Sequence, residues 1–187
     1  WGKDFPFYWV QLANYMDAVE VPSESLWAQV REAQTQTLSL PHTGQAVIID
    51  IGEAKDIHPK NKQEVGRRLA LHAFHNDYGF SDVVCESPMP KTVRRVQDKI
   101  VVQFDNVADG LIVKNKYGYL MSFAVAGTDG VYKWVQAKVA GKDRVVLSCP
   151  DVIDPVSVRY AWGDNPDDAN LYNSVGLPAT PFEIKIE

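Results

Sequence analysis

The run Ala46-Val-Ile-Ile-Asp-Ile is apolar at almost every position and lacks the polar alternation of a half-solvated strand. Such a strand is covered on both faces, as in a parallel sheet flanked by helices. The run therefore commits the chain to an α/β layer. The segment after it constrains the chemistry. Asp50-Ile-Gly-Glu-Ala-Lys-Asp-Ile-His-Pro-Lys-Asn-Lys is a polar loop that presents Asp56 and His58, after which Pro59 opens a helix. Ligands of open α/β sheets bind beyond the carboxyl ends of the strands. An imidazole on this loop, with a carboxylate two residues away, is placed as a general base would be.

The first 85 residues alternate strand and helix signals. Phe5 to Ala13 is aromatic and β-branched enough for a buried strand. Pro22-Ser-Glu-Ser starts a helix with Ser23 as the N-cap, and Leu26, Trp27, Val30 and Ala33 fall on one face. Lys60 to Tyr78 reads as a second helix. Val65, Leu69, Ala73 (or His72) and Asn76 follow its period, Leu71 and Phe74 widen the apolar face, and Gly79 ends it. After about Glu86 the character changes. Short apolar runs alternate with turns: Lys99 to Phe104, Leu111 to Val113, Leu120 to Val125, Tyr132 to Val139, Arg144 to Ser148 and Val156 to Trp162. Strands at this spacing predict an antiparallel β-sandwich. Ser87-Pro-Met-Pro is the expected linker. The fold class is thus α/β followed by all-β, with one domain over residues 1–86 and a second over 87–187. Two parallel strands cannot cover their own faces and edges. The chain also starts at Trp1 without an initiator Met, so it reads as a piece of a longer protein with further strands upstream.

Composition narrows the function. A net charge of −5, with no basic run, argues against a nucleic-acid or anionic-membrane partner. No apolar stretch reaches the roughly 20 residues of a membrane helix. The two cysteines, Cys85 and Cys149, are expected as buried thiols, with a disulfide as the alternative. No Cys/His spacing suits zinc.

His58 is the candidate general base, since an imidazole titrates near neutrality. The structural alternative is a solvated histidine at a helix start. Asp56 is the candidate that orients it through Nδ1–H, as the acid of a Ser-His-Asp triad does. Asp50 is its rival and Glu53 a weaker one. His42, His72 and His75 read as structural, and a His72/His75 metal pair is disfavoured. No G-x-S-x-G elbow, P-loop or dinucleotide fingerprint occurs. Ser23, Ser25, Ser39 and Ser81 lack the strand-to-helix elbow of a nucleophile. Val158-Arg-Tyr-Ala-Trp-Gly-Asp-Asn-Pro places aromatics, including Trp162, beside an Asn- and Asp-rich loop. Interface packing with Asx turns is the favoured reading, and sugar stacking is the alternative.

Phe7-Tyr-Trp-Val-Gln-Leu-Ala-Asn, Arg31-Glu-Ala-Gln, Asp50-Ile-Gly-Glu, Asp56-Ile-His-Pro-Lys-Asn-Lys-Gln, Val65-Gly-Arg-Arg-Leu-Ala-Leu and Val158-Arg-Tyr-Ala-Trp together resemble the sialate O-acetylesterase family. Its members are secreted or lysosomal carbohydrate esterases of the SGNH-hydrolase type. The resemblance runs over essentially the whole chain and over the C-terminal half of a typical member. It implies a flavodoxin-like parallel sheet, with the serine nucleophile and the oxyanion donors before Trp1. It carries the base onto His58. The usual spacing of acid and base is Asp-x-x-His, whereas Lys55 stands three before His58, so Asp56 is out of register. A Ser-His dyad aided by a backbone carbonyl is the alternative. The implied reaction is hydrolysis of an acetyl ester on a sugar or sialoglycan, with no metal or organic cofactor, in the periplasm or outside the cell. A non-catalytic carbohydrate-binding or bracing module is the competing expectation.

Overall fold

The computed structural model describes residues 2–187. Strands β1 (Phe7–Val10) and β2 (Thr43–Ala46) pair in parallel, from Phe7 opposite Thr43 to Val10 opposite Ala46. The apolar run is buried as expected, with Ala46, Val47, Ile48 and Ile49 all inside. Only Ala46 belongs to the strand, however. The Gln11 N–H closes the ladder on the Ala46 carbonyl at 2.9 Å, and Ile51 N–H turns back onto Ile48. Val47 and Ile49 are buried by side-chain packing rather than by strand pairing, and they join the core of the β-rich part.

Helix α1 (Leu26–Gln36) begins at Ser25, whose side chain accepts the Ala28 N–H; Ser23 is not the cap. The expected apolar face is also displaced. Leu26 and Val30 are exposed, while Ala28 and Arg31 are the buried residues. Arg31 turns inward because its guanidinium binds four backbone carbonyls. Those of Ala13 and Asp164 also accept from Trp27 Nε1–H and Tyr15 N–H, so it is the Leu12 and Gly163 carbonyls that depend on it. Helix α2 (Lys62–Asn76) is capped by the Asn61 side chain and not opened by Pro59. Its most buried residues are Arg68 and His72, one turn apart, and Phe74 is exposed. Gly79 takes φ +77° just beyond the helix, and Phe80 N–H returns to the Phe74 carbonyl. That left-handed turn favours glycine.

The rest is mainly antiparallel sheet. β3 (Met89–Val96), β4 (Lys99–Asp105), β8 (Gln136–Ala140) and β9 (Arg144–Ser148) form one four-stranded sheet in the order β3-β4-β9-β8. β6 (Phe123–Ala126), β7 (Tyr132–Trp134), β10 (Ser157–Tyr160) and β12 (Phe182–Lys185) form a second, in the order β12-β10-β6-β7. A small pair joins β5 (Leu111–Val113) to β11 (Leu171–Asn173). The two larger sheets share one core, in which Phe104 and Tyr160 both approach Phe182 at 6.0 Å between ring centres.

Three expectations need correction. The Tyr132–Val139 run is two strands that change sheets at Val135, as corners of sandwiches do. Ser87-Pro-Met-Pro is no exposed linker, because Ser87 is buried and Met89 already starts β3. Strands β3, β11 and β12 lie where no strand was expected. Both cysteines are free and buried. Among the described residues, no helix is long and apolar enough to cross a membrane.

Candidate active site

The loop from Asp50 to Lys60 hangs from the buried run and is fastened by short-range bonds. Asp56 N–H donates to the Glu53 carbonyl, and the Glu53 carboxylate takes Lys60 Nζ at 2.5 Å. Asp56 Oδ1 then accepts twice from His58, from its backbone N–H at 2.9 Å and beside Nδ1 at 3.1 Å. The backbone N–H, more than the ring, holds the Asp56 carboxyl below its ordinary value. With Nδ1–H on Asp56, Nε2 carries the free lone pair and faces away. The His58 side chain is 81% exposed, so that nitrogen is open to a partner. This is the arrangement in which a carboxylate fixes the tautomer and orientation of a general base.

Asp50 is occupied elsewhere. It receives Arg68 at both carboxylate oxygens, Nη1 at 2.6 Å and Nη2 at 2.9 Å, and Tyr172 Oη at 3.2 Å. Arg68 Nε goes to Glu64 at 2.8 Å, and Nη1 also reaches the Val47 carbonyl. Burial works to lower the Arg68 pKa, but the ion pairs outweigh it and hold it above its ordinary value. Glu64 is pulled down to about 2, chiefly by Arg67. Asp50 thus anchors the root of the loop and leaves the histidine to Asp56. Glu53 is likewise taken by Lys60.

A second set of contacts ties the loop to the far end of the chain. Gly52 N–H donates to Asn14 Oδ1 at 2.7 Å, and Asn14 Nδ2 donates to Asn165 Oδ1 at 2.8 Å. Asn165 Nδ2 donates to the Met16 carbonyl, and Met16 N–H donates to the Ala54 carbonyl. A Cβ at position 52 would lie 2.2 Å from Asn14 Oδ1, so the approach requires glycine. Nearby, Arg31 is fully buried and binds the carbonyls of Leu12, Ala13, Gly163 and Asp164 at 2.6–2.9 Å. Among the described residues no carboxylate lies in ion-pair contact with it, and burial lowers its pKa to about 10 against the opposing charge of Asp164. Sequence reasoning did not find Arg68, Asn14 or Asn165; their signal is polar residues on otherwise buried elements.

The other histidines lie apart from this loop. His72 is buried, donates Nε2–H to the Gln45 carbonyl at 3.0 Å and stacks on Tyr8. His75 Nδ1 meets the Val83 carbonyl, and His42 sits in a turn at φ +57°. Among the described residues, no group of three or more His, Cys, Asp or Glu is arranged to hold a metal ion. Trp162 is buried rather than presented to solvent.

No protein-family model matches the chain. It is 29% identical to sialate O-acetylesterase from Mus musculus over 97% of its own length, and 28% identical to the Homo sapiens protein over 95%. It spans 36% of the length of these curated relatives. Among solved structures, it matches a carbohydrate acetylesterase from Xanthomonas citri at 45% identity with a TM-score of 0.87. That match covers 96% of this chain and 41% of the other. The resemblance to the sialate O-acetylesterases read from the motifs is therefore borne out. The β-rich fold matches part of that acetylesterase.

Proposed function

We propose that the chain is the C-terminal part of a carbohydrate O-acetylesterase that cleaves acetyl esters from sugar or sialoglycan hydroxyls. In this reading residues 1–86 complete an SGNH-type parallel-sheet domain and residues 87–187 form the sandwich domain attached to it. The serine nucleophile and the oxyanion donors are supplied from outside these residues. The observation that carries the proposal is His58 held at Nδ1 by Asp56 with Nε2 free. The names of the relatives support the ester chemistry.

The steps follow from that geometry. His58 Nε2 takes the serine proton as the oxygen attacks the acetyl carbonyl, and Asp56 steadies the imidazolium. The imidazolium then gives the proton to the departing sugar oxygen. In the second half His58 takes a proton from water, which attacks the acyl-enzyme, and returns it to the serine as acetate leaves. A periplasmic or extracellular location belongs to the same reading.

The test is acetate release from acetylated sugars by a protein that spans the full length of these relatives and contains this chain. Turnover by that protein, with none by the 187 residues alone, is the expected result. Turnover by the 187 residues alone would overturn the assignment of the nucleophile, and inactivity of the long protein on every acetylated sugar would overturn the reaction.

A further inference from the structure

A cavity of about 300 Å³ opens on the β-rich part, outside the His58 loop. That volume is at the small end of ligand pockets. Its lining includes Glu20, Ser122, Trp134, Trp162, Asp167 and Asp168. The Trp134 indole is 43% exposed and is held in place by Nε1–H donation to the Glu20 carbonyl at 2.9 Å. The Ser122 hydroxyl donates to Asp168, whereas the Asp167 carboxylate has no hydrogen bond or ion pair among the described residues. The backbone here is unusual as well. Ser122 and Ala161, joined by a hydrogen bond of 3.0 Å, both have positive φ, as does Met16 close by. Left-handed non-glycine residues of this sort gather at ligand sites more than elsewhere.

The chemistry of the lining selects its ligand. A rigid indole offers a face to the C–H groups of a sugar ring. Carboxylates accept hydrogen bonds from hydroxyls. Three acidic residues line the cavity and no Lys, Arg or His does. A ligand carboxylate would meet like charge with no cation in the lining to offset it, the Arg159 guanidinium behind Trp162 being paired with Glu24 and Glu183. We propose that this cavity is a subsite for a neutral sugar ring and that it disfavours carboxylate-bearing sugars such as sialic acid. Asn165 lines it and also bonds Asn14 and the Met16 carbonyl, so the subsite and the His58 loop share one hydrogen-bonded frame. The inference deepens the esterase reading, because the ring bound here would be a unit of the same glycan. Binding itself needs no catalysis, so the two readings fail separately.

The test follows the tryptophan indole signals of the 187-residue chain by NMR. The chain is titrated with cellobiose, mannobiose and galactobiose, and with N-acetylneuraminic acid at matched ionic strength. At least one neutral disaccharide shifts the Trp134 signal saturably, and in Trp134→Ala (or Trp134→Phe) the affinity, followed at the Trp162 signal, is weakened, by about tenfold for the alanine. N-acetylneuraminic acid binds more weakly, and Asp167→Asn with Asp168→Asn narrows that gap. No saturable shift with any neutral probe would overturn the proposal. Binding of N-acetylneuraminic acid as tight as that of the best neutral sugar would overturn it too.

Discussion

Asp50 and Arg68 meet through two parallel contacts of 2.6 and 2.9 Å, both side chains nearly out of solvent. The pair joins the end of the buried run to helix α2, and Tyr172 closes it from the β-rich side. Asp50 is therefore committed to Arg68 and Tyr172, and Asp56 is the acid hydrogen-bonded to His58.

Removing one partner strands the other charge. Asp50→Ala should cost about 3 kcal/mol, since the buried Arg68 guanidinium keeps only Glu64 and the Val47 carbonyl. Arg68→Met combined with Asp50→Leu should cost less than the sum of the two single changes. Urea denaturation of the four proteins measures this coupling.

Arg31 gives a different kind of prediction. Its guanidinium serves four carbonyls from two distant stretches of chain. Arg31→Met should destabilise by about 2–4 kcal/mol, because the Leu12 and Gly163 carbonyls lose their donor. Arg31→Lys should recover little of it, since an ammonium cannot span four acceptors in that plane. Thermal and urea unfolding give the values.

Gly52 allows no side chain. Gly52→Ala would drive a Cβ into Asn14 Oδ1 and break the bond that ties the His58 loop to Asn165. A loss of about 1–3 kcal/mol is expected. Hydrogen exchange of residues 50–58 should rise in the variant. An unchanged exchange pattern would mean that the amide bridge does not hold the loop.

Much of the fold and of the candidate site is legible in the sequence, though unevenly. The buried run and the His58 loop announce themselves through apolar continuity followed by a break in polarity. The α1 face does not. Its apolar spacing points to Leu26 and Val30, yet the helix turns Arg31 inward because unpaired carbonyls are costlier than exposed aliphatics. β3 is hidden by the prolines of Ser87-Pro-Met-Pro, which read as punctuation, and the Tyr132–Val139 run conceals a change of sheet that no periodicity marks. The Asn14–Asn165 contact crosses 151 positions and leaves no local trace.

Acid should weaken the fold in two windows. Burial lowers the His72 pKa below its ordinary value of about 6.5. The unfolded chain therefore takes up a proton first, and stability is lost as pH falls through about 6.5. Glu64, at about 2 in the folded chain, adds a loss as pH falls from about 4.5 toward 2. Its share is about 1 kcal/mol once solvent screening is allowed for. Urea midpoints across pH should fall in both windows, and His72→Gln should flatten the upper one.

The most direct test concerns His58 itself. In a protein of the relatives' full length containing this chain, kcat for acetate release should fall by about 10²–10⁴-fold in His58→Ala. Asp56→Asn should give a smaller fall and a shifted pH profile. Wild-type turnover by His58→Ala, with the fold intact by circular dichroism, would contradict the assignment of His58 as the base.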